Sequence, residues 1–242
     1  MAHSSASGHE RSRLSFTVGT DAYARHVGRY GAALSAAHAD AAGVSAGDRA
    51  LDVGCGPGAL LAELARLLGA DSVAAAEKLP FPAASFDVVL SQLVVNFLED
   101  ADAGVAEMRR VARRAVASCV WDYAGEMTML RAFWDAALEL DPDAPDEGRT
   151  MRYCTPDELA ALWSRAGLRD VRTSPLVVEA EYADFDDYWS PFPSGIAPSG
   201  AYCASLDPDA REALRQACFR RLGSPAGRFA LSARAWFVRG RV

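Results

Sequence analysis

The apolar positions of the chain alternate between helical spacing and short continuous runs. Tyr23, Val27, Tyr30, Leu34 and Ala37 recur at helical spacing over residues 20–43, and Gly43 supplies a stop. Residues 49–53 form a short strand that runs into Gly54-Cys55-Gly56-Pro57-Gly58. Leu60, Leu61, Leu64, Leu67 and Leu68 then mark a helix closed by Gly69. Strand, glycine turn and helix open a βαβ unit. Residues 86–91 are an unbroken apolar run, as expected of a strand covered on both faces. A helix over 101–114 presents Val105, Met108 and Val111 on one side, a buried strand follows over 115–121, and a further helix over 126–140. Thr155-Pro156-Asp157-Glu158 combines an N-cap, proline at N1 and glutamate at N3, so a helix starts there and stops at Gly167. Strand 171–181, an aromatic segment over 184–192, a helix over 207–222 opened by Asp207-Pro208, and strand 228–238 complete the pattern.

Alternating strands and crossover helices predict an α/β fold, Rossmann-like, with a doubly wound and mostly parallel sheet carrying an antiparallel edge. A single domain is expected over residues 16–242, behind a polar, mobile tail over 1–15. The acidic loop 141–148 reads as solvated and mobile. Two places depart from the pattern. Only sixteen residues separate Gly69 from Phe86, too few for the strand, crossover helix and strand of a full nucleotide-binding half. Between Val111 and Val120, helix passes to strand with no glycine, proline or asparagine to turn the chain.

Composition narrows the function. The chain has 25 basic against 32 acidic residues, a net charge of −7, which opposes the basic surface nucleic-acid binders use. No apolar stretch approaches the roughly 20 residues of a bilayer span, and the first residues lack an apolar leader core, so neither membrane nor export is expected. Five cysteines without a C-x-x-C pair fit a reducing, cytoplasmic setting. All four histidines lie near the N-terminus, away from the cysteines, so no metal site is expected.

A glycine-rich turn after a buried strand bares backbone N–H groups and lets a ligand approach the main chain. Read through Gly54, Gly56 and Ala59, the turn could pass for a dinucleotide fingerprint. Asp52 and Pro57 argue otherwise, because a carboxylate at the strand exit repels a pyrophosphate and pairs with an ammonium group.

LDVGCGPG resembles the first motif of class I S-adenosylmethionine-dependent methyltransferases. EKLPFPAASFDVVLSQLVVNFLED is similar to the segment around that family's fourth strand, EMRRVAR to the next helix and ASCVWDY to the fifth strand. TPDELAALWSRAGLRDV and ARAWFVRG resemble the small-molecule methyltransferases allied to the quinone-biosynthesis enzymes, so the likeness covers residues 17–242. It implies S-adenosylmethionine as cofactor, with Asp52, Gly54, Cys55, Gly56 and Gly58 around its methionine part. Cys55 serves there as a small filler, since no base stands near to activate it.

The same resemblance places Tyr23 and Arg29 of a covering first helix on the methionine carboxylate, and Ser91 and Gln92 along the cofactor. Glu77, 23 residues beyond Gly54, has the spacing of a ribose-binding acid. AAAEKLPFP equally resembles the adenine segment after the family's third strand. The chain thus skips a helix and a strand of the family, and it lacks the family's Pro-Gly-Gly turn before the fifth strand. Acceptor-side insertions fall near 124–155 and 183–206. His26 and Asp122 are the acid–base candidates, Asn96 and Phe97 face the acceptor or cap a helix, and Phe185, Tyr188, Trp189 and Phe192 form a lid or a core. The expected activity is O- or C-methylation of a small, apolar or aromatic metabolite. The alternatives are a degenerate methyltransferase-fold scaffold and a non-methylating enzyme such as a cyclase.

Overall fold

A computed structural model of the chain describes residues 26–76 and 79–242. These fall into two compact units: residues 30–127, 151–179 and 232–242 form the larger, and residues 26–29, 128–150 and 180–231 the smaller. Strands β1 (Ala50–Val53), β2 (Val73–Ala76), β3 (Phe86–Gln92), β4 (Ala112–Trp121), β5 (Arg169–Tyr182) and β6 (Phe229–Arg241) form one six-stranded sheet, ordered β2-β1-β3-β4-β6-β5. Along the chain lie helices α1 (Gly31–Ala41), α2 (Ala59–Leu68), α3 (Ala101–Val111), α4 (Thr128–Leu140), α5 (Glu147–Thr150), α6 (Pro156–Arg165), α7 (Phe185–Trp189), α8 (Ala197–Ser205) and α9 (Pro208–Arg221). Of these, α1, α2, α3 and α6 belong to the larger unit.

β1 pairs in parallel with β2 and β3, and β3 with β4, while β6 runs antiparallel to β4 from Ala115↔Arg241 to Trp121↔Ala235. Val88, Leu90, Val116 and Val120 are wholly buried, which explains the unbroken apolar runs of β3 and β4. α3 buries Ala101, Val105, Met108 and Val111 at helical spacing, and Asp100 caps it by accepting from the Ala103 amide. It passes directly into β4. Ala112 is extended there, with φ −84° and ψ 147°, so the chain leaves the helix without needing a left-handed residue. Thr155 caps α6 as predicted, accepting from the Glu158 amide, and Glu158 reaches back to accept from the amide of Cys154, the residue before the cap, at 3.1 Å.

The sixteen-residue interval contains β2 and no crossover helix or further strand among its described residues. Nine residues carry the chain from β2 past β1 to β3. Two strand spacings amount to about 10 Å and a four-residue strand to about 13 Å, within the ~30 Å reach of nine extended residues. The connection is tied down by α3: Arg110 donates to Phe81 O at 2.8 Å and Leu79 O at 3.2 Å, and the Ala84 amide donates to Arg110 O at 2.9 Å.

The smaller unit corrects the expectation for 141–148. Asp141, Pro142, Asp143 and Pro145 are exposed as expected, but the segment is anchored at three buried positions. Ala144, Asp146 and Glu147 are buried, Arg131 pairs with Asp146 at 2.7 Å, and the Trp134 indole N–H donates to Glu147 Oε2 at 2.9 Å. Burial pushes the Glu147 carboxyl up to about 7, opposed in part by the Trp134 hydrogen bond. The aromatic segment forms α7 and the turn Phe192–Ser194, with Phe133 stacked on Phe192 at 4.4 Å. Helix α8, which has no clear apolar period, is an element the sequence pattern did not announce.

Candidate cofactor site

The turn after β1 is built on three glycines in left-handed conformation: Gly54 at φ +76°, Gly56 at +48° and Gly58 at +89°. Their roles differ. A Cβ on Gly54 would lie 2.7 and 2.9 Å from the Val94 methyl groups, so the strand exit is closed to any side chain. A Cβ on Gly56 or Gly58 would meet nothing within 4 Å, so these two keep backbone open to a ligand. The Gly58 amide donates to Cys55 O at 2.8 Å, tightening the turn, and Gly58 caps α2, whose N-terminus favours negative charge.

Asp52, on β1 two residues before Gly54, is 1% exposed. Neither carboxylate oxygen has a hydrogen-bond partner. Burial pushes its carboxyl up to about 7, and the nearby Leu61 backbone N–H opposes this only in part. The pairing register sets Asp52 beside Leu90, and Gln92 beside Cys119, so Asp52, Gln92, Cys119 and Trp121 share one face of the sheet. That face lies under α1. Gln92 Nε2 donates to Ser35 Oγ at 3.0 Å, His38 Nδ1 lies 3.6 Å from Cys119 Sγ, and Tyr30 packs edge-on to Trp121. Burial holds His38 down at about 4, so it is neutral at pH 7. Gln92 Oε1, His38 Nε2 and the Trp121 indole N–H are buried without partners, as is Asn96 Oδ1. Ser91 is buried on the opposite face, in register with Ser118.

The predicted residues therefore divide. Asp52, Gly54, Cys55, Gly56, Gly58, Ser91 and Gln92 all lie in β1, the turn after it and β3, at the carboxyl ends of these two strands. Tyr23 and Glu77 lie outside the described residues. β2 ends at Ala76, so Glu77 follows the second strand in sequence.

Arg29 and His26 belong to the smaller unit. Arg29 stacks over the Tyr182 ring at 4.0 Å, pairs with Asp187 at 3.0 Å and donates to Glu181 O at 2.9 Å. His26 is 2% exposed, with Nε2 3.4 Å from Ser199 Oγ and its ring edge-on to Phe192. Burial, and secondarily the Arg29 charge, hold it down at about 4. Asp122, at the end of β4, receives Arg234 on Oδ2 at 2.6 and 2.8 Å and the Glu126 amide at 2.8 Å. It pins the β4–α4 turn to β6.

The buried polar side of α1 was missed from sequence. His38 lies one turn beyond Leu34 and Ser35, inside a segment rich in alanine that gives no contrast between faces. Among the described residues no group of three or more His, Cys, Asp or Glu could hold a metal ion, and no helix is long and apolar enough to cross a membrane.

Residues 70–117, from the approach to β2 into β4, match the sequence profile of the methyltransferase domain family. No curated protein matches the chain. The fold is similar to that of a candidate type II methyltransferase from Anaeromyxobacter dehalogenans, at 20% identity over 88% of this chain and 96% of that one, TM-score 0.60. It is also similar to a candidate methyltransferase of an antibiotic biosynthesis pathway from Anabaena variabilis, at 16% identity over 87% and 97%, TM-score 0.56. A cyclopropane-fatty-acyl-phospholipid synthase-like protein from Lactobacillus casei is 19% identical over 96% and 99%, TM-score 0.53. These structural likenesses establish the fold.

The residues present fit S-adenosylmethionine. Two orphaned buried acceptors on Asp52 suit an ammonium group, and the open glycine turn at a helix N-terminus suits a carboxylate. The methyltransferase-domain match itself covers residues 70–117, which follow the glycine turn in the chain.

Proposed function

We propose that the chain is a class I S-adenosylmethionine-dependent methyltransferase that methylates oxygen or carbon of a small, apolar or aromatic metabolite. The observation that carries the cofactor half of this reading is Asp52, a buried carboxylate with two unpartnered oxygens beside a glycine turn held open at Gly56 and Gly58. The acceptor half is supported by the aromatic content of the smaller unit and by the sequence likeness to methyltransferases allied to the quinone-biosynthesis enzymes. Five free thiols fit a cytosolic protein.

S-adenosylmethionine, when bound, supplies an electrophilic methyl group on a sulfonium. Asp52 would hold its ammonium group, the Gly56 backbone and the N-terminus of α2 would receive its carboxylate, and Gln92, Cys55 and the Ser91 backbone would line it. Glu77 would take its ribose, whereas the Arg29 guanidinium is engaged by Asp187 and Glu181 O within the smaller unit. Tyr30 and Trp121, both buried, keep water from the sheet face that carries Asp52. Transfer from a sulfonium is an in-line displacement, so positioning an acceptor in a dry pocket provides much of the catalysis.

His26 and Asp122 remain the acid–base candidates, with unequal prospects. Asp122 Oδ2 already takes three donors, which suits a positioning role. His26 is neutral at pH 7 and so keeps a lone pair, although it is held below the range best matched to that pH.

Calorimetric titration with S-adenosylhomocysteine tests the assignment. Asp52→Ala is expected to weaken binding about tenfold or more. Unchanged affinity in that variant and in Glu77→Ala would overturn the site, and absence of any binding to the parent chain would favour the scaffold alternative.

A further inference from the structure

Arginines converge at the end of the sheet opposite the glycine turn, where β4 begins and β6 ends. The sequence Arg239-Gly240-Arg241 is responsible for two of them. A Cβ on Gly240 would lie 2.8 Å from Leu168 Cβ and 3.0 Å from Trp163 Cδ1, so the glycine packs inward against α6. Strand alternation then sends Arg239 and Arg241 together to the other face, in register with Ala117 and Ala115. Arg114, adjoining Ala115, donates from both Nη1 and Nη2 to Gly43 O, at 3.2 and 3.3 Å. The Arg239 guanidinium stands on the same glycine, with Nη2 3.6 Å from the position a Cβ would take. Two guanidinium groups therefore meet at Gly43, and Arg172 of β5 is close enough to act on Arg239 electrostatically.

The countercharge is incomplete. Asp48 pairs with Arg114, and Asp170 lies 3.5 Å from Arg241 in an exposed contact. Among the described residues Arg239 and Arg172 have no carboxylate partner, and Arg239 Nε is buried without a hydrogen-bond acceptor. The C-terminus of α1, two residues before Gly43, offers about half a negative charge. Arg239 and Arg172 thus stay without a carboxylate partner of their own in a protein of net charge −7. Burial first, and then the charges of Arg114, Arg241 and Arg172, pull Arg239 below the ordinary arginine value. An anion between these groups would relieve the repulsion and satisfy Arg239 Nε.

We propose that Arg114, Arg172, Arg239 and Arg241 form a binding site for a tetrahedral oxyanion of the phosphate class, at the end of the sheet opposite the glycine turn. Guanidinium groups bind phosphate oxygens in paired, charge-assisted hydrogen bonds, which lysine does not reproduce. Free phosphate and a phosphate carried on a metabolite present the same chemistry. The site is independent of the acceptor reading.

Calorimetry at fixed ionic strength tests it, with inorganic phosphate, pyrophosphate and glycerol phosphate as probes and chloride as control. Saturable one-site binding is expected with a Kd below about 1 mM for at least one probe. Tighter binding of glycerol phosphate or pyrophosphate than of phosphate would assign the site to a carried phosphate, and the reverse order to the free ion. Arg239→Gln and the exposed Arg172→Gln should each weaken binding about tenfold, while Arg172→Gln leaves S-adenosylhomocysteine affinity unchanged. No saturable binding of any probe, or unaltered affinity in Arg172→Gln, overturns the proposal.

Discussion

Replacing Asp52 with asparagine should stabilise the ligand-free protein while weakening its hold on the cofactor. In the unfolded chain this carboxyl ionises near 3.8, and in the folded protein burial moves it to about 7. Between those values the folded state holds the additional proton, so wild-type stability falls as pH rises and levels off above about 7. A displacement of this size corresponds to about 4 kcal/mol against the charged form at alkaline pH. Asparagine removes the charge but leaves a buried amide short of partners, at a cost of about 1–3 kcal/mol.

The net gain expected near pH 8 is about 1–3 kcal/mol, or roughly 2–10 °C in Tm for a chain of this size. Near pH 5, where wild-type Asp52 is already protonated in the folded state, the gain should vanish. Thermal denaturation of both proteins across that range measures it. S-adenosylhomocysteine should reverse the order, raising the Tm of the wild type more than that of Asp52→Asn. A Tm difference that does not grow with pH, or an asparagine variant less stable at pH 8, would refute the assignment of Asp52 as a buried, unpaired acid.

Other positions separate structural from chemical roles. Gly54→Ala places a Cβ 2.7 Å from Val94 at φ +76°, and should cost about 2–3 kcal/mol in urea unfolding, with part of the loss restored by Val94→Ala. Asp122→Asn leaves Arg234 without its shorter ion pair, although Glu126 at 2.9 Å remains, so stability should fall by about 1–3 kcal/mol. A variant of full stability with activity abolished would instead make Asp122 the base. Trp163→Phe removes the indole donor from Val116 O at 3.1 Å inside the core, and denaturant titration should register about 1–3 kcal/mol.

Elements with strong local signals were legible. The Thr155 cap, the apolar runs of β3 and β4, and the leucine face of α2 state their structure within a few residues of chain, because caps and side-chain periods are local physics. Segment 141–148 was legible only in part. Its acidic composition argues for solvent, which holds for four of its residues, whereas the burial of Asp146 and Glu147 depends on Arg131 and Trp134 of α4, contacts no local pattern encodes. α8 was equally hidden, lacking both an apolar period and a side-chain cap.

By itself, the sequence determined the glycine turn after β1, the acid two residues before it, the alternation of strand and helix, and the family these resemble. The tertiary structure decided what those residues confront. It set Gly54 against Val94 while leaving Gly56 and Gly58 open, sealed Asp52 from water with both oxygens unpartnered, and committed Asp122 to Arg234 across 112 residues. It also gathered four arginines from distant segments at one end of the sheet. The physical reason is range: a turn or a cap depends on neighbours in the chain, whereas desolvation and charge pairing depend on neighbours in space, which exist only once the sheet has formed.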